Sequence, residues 1–324
     1  MVVRSMGKYW TLTDMPNQSR RRVIVTGANS GIGYHSALQL ARNGACVVLA
    51  CRNLARGEAA VARLQKEVPN AQTEVAILDL AALDSVREFA AREISRGVPL
   101  DLLINNAGVM APKRRLETKD GLELQFGTNV LGHFVLTALL LPALIRSAAT
   151  ERERPRVVTI ASIAHKRGRL RFDDLQCVAS YSPMSAYQQS KLANLILAFE
   201  LDRRLRVTGE PASRIMSVAA HPGVADTNLF QVGEFGLAEK IARRGLGVVI
   251  KKLLNSDGEG ALATLYAATA PDVQDGGYYG PKGFREMRGR RIDNAEIAPQ
   301  AVDRSAGERL WEECERLGGV KLLG

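Results

Sequence analysis

The sequence predicts one α/β domain: a doubly wound parallel sheet of seven strands with helices on both faces. Three observations point there. From Arg22 onward, short β-branched apolar runs alternate with longer segments whose apolar residues recur at three- or four-residue steps, the pattern of repeated βαβ units. The short runs are apolar on both faces, as strands are when helices cover both sides of a sheet. Three glycines stand where the first such run gives way to the first helical segment.

Taken in order, strands are expected at 23–26, 45–51, 74–78, 100–105, 156–162, 215–220 and 277–280. The first reads Val-Ile-Val-Thr between the basic run Arg20–Arg22 and Gly27, the second is continuous in apolar residues and cysteine, and the fourth is centred on Leu102-Leu103-Ile104. Helical periodicity places helices at 31–43, 55–68, 84–95, 121–147, 184–207 and 259–270. A further helix is expected at 301–317, within a polar C-terminal extension that starts at about 281. Residues 1–21 read as a polar N-terminal arm, and 22–324 as a single catalytic domain with a lid segment at about 228–254. No internal repeat, Gly/Ser linker or low-complexity block divides it. In the lid, Leu237, Ile241, Val249, Ile250, Leu253 and Leu254 interleave with five basic residues. That amphipathic stretch is read either as a mobile wall over a lipophilic pocket that touches a membrane surface, or as a helix packed on the core.

Lys and Arg number 44 against 34 Asp and Glu, a net charge of +10, with basic clusters at Arg20–Arg22, Lys113–Arg115, His165–Arg167 and Arg288–Arg291. Excess charge of this kind favours anionic partners without naming one. No nucleic-acid motif accompanies it, so a solvated surface or a phosphorylated cofactor is the expectation and nucleic acid is not. Cys46, Cys51, Cys177 and Cys314 are widely spread, with no Cys-x-x-Cys pair and no companion histidine spacing, so no metal site is expected. The polar, basic N-terminal stretch has no apolar core, and a reducing, cytoplasmic setting is expected.

The glycines lie in Thr26-Gly27-Ala28-Asn29-Ser30-Gly31-Ile32-Gly33. Glycine lets the backbone turn tightly and approach a pyrophosphate, and the amides of the following helix N-terminus favour an anion. The strand before and the helix after make this a dinucleotide loop, the opening of a Rossmann fold. Cofactor contacts are therefore expected at Gly27, Asn29, Ser30, Gly31, Ile32 and Gly33. Where an NAD-selective site would carry an acid at the end of the second strand, this chain has Arg52-Asn53. An arginine there suits the 2′-phosphate of NADP(H) and makes NAD(H) the lesser expectation. Asp79 and Leu80 follow the third strand, and Asn106, Ala107 and Gly108 the fourth, tracing one nucleotide-sized groove along the sheet edge.

Those motifs, together with Asn129, Ser162, Tyr187-Gln188-Gln189-Ser190-Lys191 and His221-Pro222-Gly223, resemble the short-chain dehydrogenase/reductase family from about Arg22 to Gly280. The wording is closest to its retinol dehydrogenase-like and WW-domain oxidoreductase-like branch. The resemblance implies a tetrad of Asn129, Ser162, Tyr187 and Lys191. It also implies a turn at Pro222 and Gly223 beneath the nicotinamide, with Thr227 reaching the carboxamide or phosphates. A lipophilic aldehyde, ketone, retinoid or steroid substrate and a homodimer or homotetramer fit the family. Asn129 is implied to hold water in a proton relay behind the lysine.

Residue chemistry agrees with that resemblance. Tyr187 and Lys191, at i and i+4, share one helix face. A phenol of pKa about 10 is a poor acid–base catalyst at neutral pH, and a neighbouring ammonium, aided by the oxidised nicotinamide, is expected to lower it. Lys191 is also expected to hold the nicotinamide ribose. Ser162 is expected to close its strand and donate to a substrate carbonyl as charge develops there. Ser180, Ser182 and Ser185 are rival hydroxyls in a long 167–184 insert that would shape the pocket. His35, His133 and His165 are assigned no chemistry. The alternative, a non-catalytic NADP(H)-binding redox sensor or scaffold, would be favoured by loss of Tyr187 or Lys191, and neither is lost.

Overall fold

The computed structural model describes residues 9–150, 153–224 and 255–323. The seven expected strands are present as β1 (Arg22–Thr26), β2 (Cys46–Cys51), β3 (Thr73–Ile77), β4 (Leu102–Asn105), β5 (Arg156–Ile160), β6 (Met216–Ala220) and β7 (Tyr278–Pro281), all parallel. An eighth, β8 (Ile292–Asn294), pairs antiparallel with β7. Only its first residue is apolar and buried, so it offers no alternation for sequence reasoning to detect. The order β3-β2-β1-β4-β5-β6-β7-β8 reverses direction between β1 and β4, which opens a crevice at the carboxyl ends of those strands.

Helices α1 (Gly31–Arg42), α2 (Leu54–Glu67) and α3 (Leu83–Ser95) follow the first three strands. After β4 comes a continuous helical run made of α4 (Leu124–Phe126), a π-helical stretch (Gly127–Leu131) and α5 (Gly132–Ala148). That run is apolar and long enough to cross a membrane, but most of it is buried inside the fold. Helix α6 (Pro183–Thr208) follows β5, α7 (Asp257–Thr269) precedes β7, and α8 (Arg304–Gly318) ends the described chain. Proline at the first position of α6 costs it no hydrogen bond.

Strand residues alternate between two cores. Ile24, Val48 and Leu103 face α3, α5, α6 and α8; Val23, Val25, Val47, Leu49, Leu102 and Ile104 face α1, α2 and α7. The stretch from 281 joins the body of the fold: Leu310, Trp311 and Cys314 of α8 are buried in the first core, with Trp311 edge-on to Phe134 at 5.0 Å. At the other end Trp10 packs edge-on against Tyr266 of α7 at 5.6 Å. Two of the basic clusters each commit one residue to ion pairs, Arg22 with Glu74 and Glu93, and Lys166 with Glu286 and Glu296. The expected lid at 228–254, like Thr227, lies outside the described residues.

Candidate active site

The crevice at the switch point deepens into a cleft of about 400 Å³. One wall is the glycine loop. Gly27 and Gly31 hold φ of +66° and +58°, which a side chain would strain. A Cβ on Gly33 would stand 2.5 Å from Asn106 Nδ2 and 2.6 Å from the Gly27 carbonyl oxygen. The loop is therefore closed from behind by the segment after β4. Thr26 ties the two together, its hydroxyl accepting from the Asn106 and Ala107 amides, both at 2.9 Å, while Asn106 Nδ2 donates to the Thr26 carbonyl at 2.7 Å. His133 Nε2 lies 2.9 Å from the same hydroxyl. Thr26 and His133 are thus structural pins of the loop, which sequence reasoning did not identify.

Helix α1 begins at this cleft, and its N-cap Ser30 makes no side-chain capping hydrogen bond. Its amides are left for an anion. Across the cleft stand Ser162, Tyr187 and Lys191, with Pro222 and Gly223 at its floor. Lys191 Nζ is buried and donates to the Ile160 carbonyl at 2.9 Å. No other acceptor contacts it among the described residues, so two of its three protons remain for a ligand in the cleft. A closed glycine cradle, an uncapped helix end and a buried ammonium with spare donors together fit a dinucleotide with ribose hydroxyls.

Asn29, Ser30, Ile32, Asn106, Ala107 and Gly108 line the same cleft, as expected from sequence. Arg52, Asn53, Asp79 and Leu80 do not. Arg52 is exposed at the end of β2; Asn53 caps α2 by accepting from the Arg56 amide at 2.9 Å. Asp79 Oδ1 accepts from the Ala81 amide at 3.1 Å, and the Leu80 side chain is buried in the first core. Of the rival serines, Ser162 alone lines the cleft, while Ser180 accepts from Arg171 and Ser182 immediately precedes α6. Contrary to expectation, Ser162 does not end its strand. β5 stops at Ile160, and Ser162 caps a 3₁₀ turn (Ile163–Arg167), accepting from the Ala164 amide at 3.2 Å. That turn lets the chain leave the sheet edge while holding the hydroxyl toward the cleft.

Asn129 sits in the π-helical stretch and is fully buried. Its carboxamide accepts from the Val109 amide at 2.8 Å and donates to the Val109 carbonyl at 2.9 Å and to Ser190 Oγ at 3.0 Å. Ser190 in turn donates to the Tyr187 carbonyl at 2.8 Å. Asn129 thus connects the loop after β4 to the tyrosine-bearing turn of α6, and the π-helical widening makes room for it.

Burial pushes the Tyr187 phenol up to about 12, the Ser162 hydroxyl acting in the opposite direction, and burial brings Lys191 down to about 8. The expected lowering of Tyr187 applies to the site with an oxidised nicotinamide beside Lys191, a state this geometry does not contain. The Lys191 ammonium stands 5.9 Å from the Tyr187 ring centroid. Beyond the polar groups, the cleft is lined by Met110, Ile163, Ala164, Met184 and Val224. Met110 follows the Gly108 loop by two residues and Met184 precedes Tyr187 by three, a proximity that was the only sequence signal for them.

Comparison with known proteins agrees with this arrangement. Residues 21–234 match the family described as short chain dehydrogenase. The polyprenol dehydrogenase of Mus musculus is 43% identical over 94% of this chain and 86% of its own length. Retinol dehydrogenase 13 of Homo sapiens is 40% identical over 93% of this chain and 85% of its own. A crystal structure from Mycobacterium paratuberculosis superposes with a TM-score of 0.76 at 39% identity, covering 97% of this chain and 99% of that one. With the glycine cradle, the Ser162–Tyr187–Lys191 cleft and these relatives in agreement, the chain belongs to the short-chain dehydrogenase family of nicotinamide-dependent oxidoreductases.

Proposed function

We propose that this protein interconverts a lipophilic alcohol and its carbonyl compound with NADP(H). The observation that carries the proposal is the convergence of Ser162, Tyr187 and Lys191 on one cleft whose substrate side is apolar. Relatives named for polyprenol and retinol support a substrate of that character, and the two methionines at the cleft suit a flexible apolar body. Arg52 supports NADP(H) over NAD(H): it is exposed at the strand end where a 2′-phosphate would lie, and no ion pair engages it among the described residues.

The glycine loop and α1 would hold the pyrophosphate, Lys191 the nicotinamide ribose, and Pro222 and Gly223 would support the ring. Held by these residues, a nicotinamide cofactor would supply the hydride chemistry of the reaction. Tyr187 gives its phenolic proton to the substrate oxygen in reduction and takes one in oxidation. Ser162 donates a hydrogen bond to that oxygen, stabilising charge that develops there. Asn129 fixes the positions of the Gly108 loop and the Tyr187 turn and thus acts as a positioning residue. A cytoplasmic location belongs to the same proposal, resting on four cysteines that are all free.

The test is titration of the purified protein with NADPH and NADH, followed by turnover with retinal, a polyprenal and short aldehydes. Tight NADPH binding with turnover favouring the long substrates is expected, with Tyr187→Phe losing at least about 10³-fold in kcat at nearly unchanged NADPH affinity. Absence of NADPH binding overturns the reading.

A further inference from the structure

Behind Ser162 lies a buried block that the proposed chemistry does not use. Two imidazoles, His165 and His221, are both fully buried, and the ring of Tyr278 lies between them with centroids 5.4 and 5.3 Å away. Each imidazole has its tautomer dictated by its partners. His165 Nδ1 lies 2.7 Å from the Ser162 carbonyl oxygen, which can only accept, so Nδ1 carries the proton. Its Nε2 must then accept, and it does, from the Ala298 amide at 3.3 Å. His221 is the reverse: Nδ1 accepts from the Gly223 amide at 3.1 Å, leaving Nε2 protonated 3.7 Å from Glu286.

The C-terminal segment braces this block. Glu286 accepts from Lys166 Nζ at 3.0 Å and from the Glu296 amide at 2.8 Å. To do so, Arg285 and Glu286 occupy left-handed backbone at φ of 50° and 59°, a conformation that costs non-glycine residues and persists only where surroundings enforce it. Gln300 Nε2 lies 3.2 Å from the Lys166 carbonyl and 3.3 Å from that of Gly168. The 3₁₀ turn that follows Ser162 is therefore braced from within by the His165 ring on the Ser162 carbonyl and from outside by Ala298 and Gln300 of the 286–300 segment.

We infer that His165 is a positioning residue for Ser162, holding the serine carbonyl so that its hydroxyl meets Tyr187 and the substrate oxygen, with the 286–300 segment as its support. The inference rests on the role proposed above for Ser162. A carbonyl held by both the His165 amide at 3.0 Å and the His165 ring at 2.7 Å has little freedom. Releasing one of these contacts permits a displacement of the order that costs about 10–100-fold in rate.

The experiment is a double-mutant cycle on kcat between His165→Ala and Ser162→Ala. His165→Asn, whose amide can reproduce the Nδ1 donor, and Gln300→Ala, a milder loosening of the same turn, serve as companions. His165→Ala is expected to lower kcat about 10–100-fold with KM for NADPH unchanged, Asn to restore part of the loss, and Gln300→Ala to lower kcat several-fold. In the Ser162→Ala background, His165→Ala is expected to cost nothing further. Full additivity, or no rescue by Asn in folded protein that binds NADPH, overturns the inference. If His165→Ala does not fold, Gln300→Ala with Ser162→Ala completes the same cycle, and additivity there overturns it equally. Wild-type protein that binds NADPH but turns over no alcohol or carbonyl compound, or is unaffected by Ser162→Ala, refutes the proposed reaction, whereas turnover that needs Ser162 but ignores His165 and Gln300 refutes only this inference.

Discussion

Lys191 Nζ and Asn194 Nδ2, one turn apart on α6, donate to the same acceptor, the Ile160 carbonyl oxygen at the end of β5, at 2.9 and 3.3 Å. The sheet thereby sets how far the lysine reaches. With one proton committed to the strand end, its other donors are held toward the cleft, and Asn194 keeps the carbonyl satisfied whether or not the lysine is present.

That geometry makes Lys191 a functional residue maintained against stability. Its folded pKa is depressed from 10.5 to about 8 by burial, so below pH 8 the native state carries a charge it would rather lose. As pH rises from about 8 to 10.5 the unfolded chain holds more protons than the native one, and stability climbs. Lys191→Met should therefore abolish turnover while stabilising the apoprotein by about 1–3 kcal/mol at pH 7. The advantage should shrink across pH 8–10.5, read from chemical denaturation at several pH values. A Met variant less stable than wild type at pH 7 would show that the lysine's contacts outweigh its desolvation.

The two directions of the reaction should differ in pH dependence. With its phenol at about 12, Tyr187 is protonated at neutral pH and ready to donate, while Lys191 keeps its charge only below about 8. Reductive kcat/KM should be level from pH 6 to about 8 and fall above it. Oxidative kcat/KM should rise with pH, because a phenolate is the base that direction needs. Initial rates in both directions across pH 6–10 check this, and a reductive rate that increases through pH 8 contradicts the assignment.

The proposed preference for NADP(H) rests on Arg52. Charge-assisted hydrogen bonds to a phosphate are worth about 1.5–3 kcal/mol, and a carboxylate in its place would repel the phosphate and suit free ribose hydroxyls. Arg52→Asp should shift the NADPH-to-NADH ratio of kcat/KM by about 10–100-fold. Because Arg52 is exposed, its thermal stability should be unchanged, and an unaltered ratio would assign the preference elsewhere.

The legible parts of this protein are those whose chemistry is local in sequence. Gly27, Gly31 and Gly33 stand within seven residues, Tyr187 and Lys191 share a helix face, and most of the strands β1 to β7 are short runs dominated by apolar residues, so each announces itself. What stayed hidden depends on chain segments meeting across the fold. Ser162 and Ala298 are 136 positions apart in sequence, and no periodicity links them, yet His165 bridges them. The β8 strand has one buried apolar residue to advertise it. Asn129 was visible as an odd residue in a helix, but the π-helical widening that accommodates it changes no residue type. The burial that raises the Tyr187 phenol is hidden for a related reason: residue type reports a neighbouring charge, whereas desolvation depends on everything packed around the ring.

Gly33 provides the sharpest steric test of the cofactor cradle. An added methyl would stand 2.5 Å from Asn106 Nδ2 and 2.6 Å from the Gly27 oxygen, closer than real contacts allow. Asn106 cannot simply swing aside, because its Nδ2 donates to the Thr26 carbonyl at 2.7 Å, and the Gly27 oxygen belongs to a backbone already in left-handed conformation. The loop itself must therefore spread. Overpacking of this kind costs about 1–3 kcal/mol, modest beside the stability of a domain this size. The pyrophosphate site, however, depends on amides placed within a few tenths of an ångström. Gly33→Ala should raise the Kd for NADPH at least about tenfold and lower Tm by a few degrees. The loss of affinity should appear equally for NADPH and NADH, because the pyrophosphate is common to both, which distinguishes this variant from Arg52→Asp. Unchanged affinity for both, measured by fluorescence titration, would mean that the cofactor does not lie against this loop.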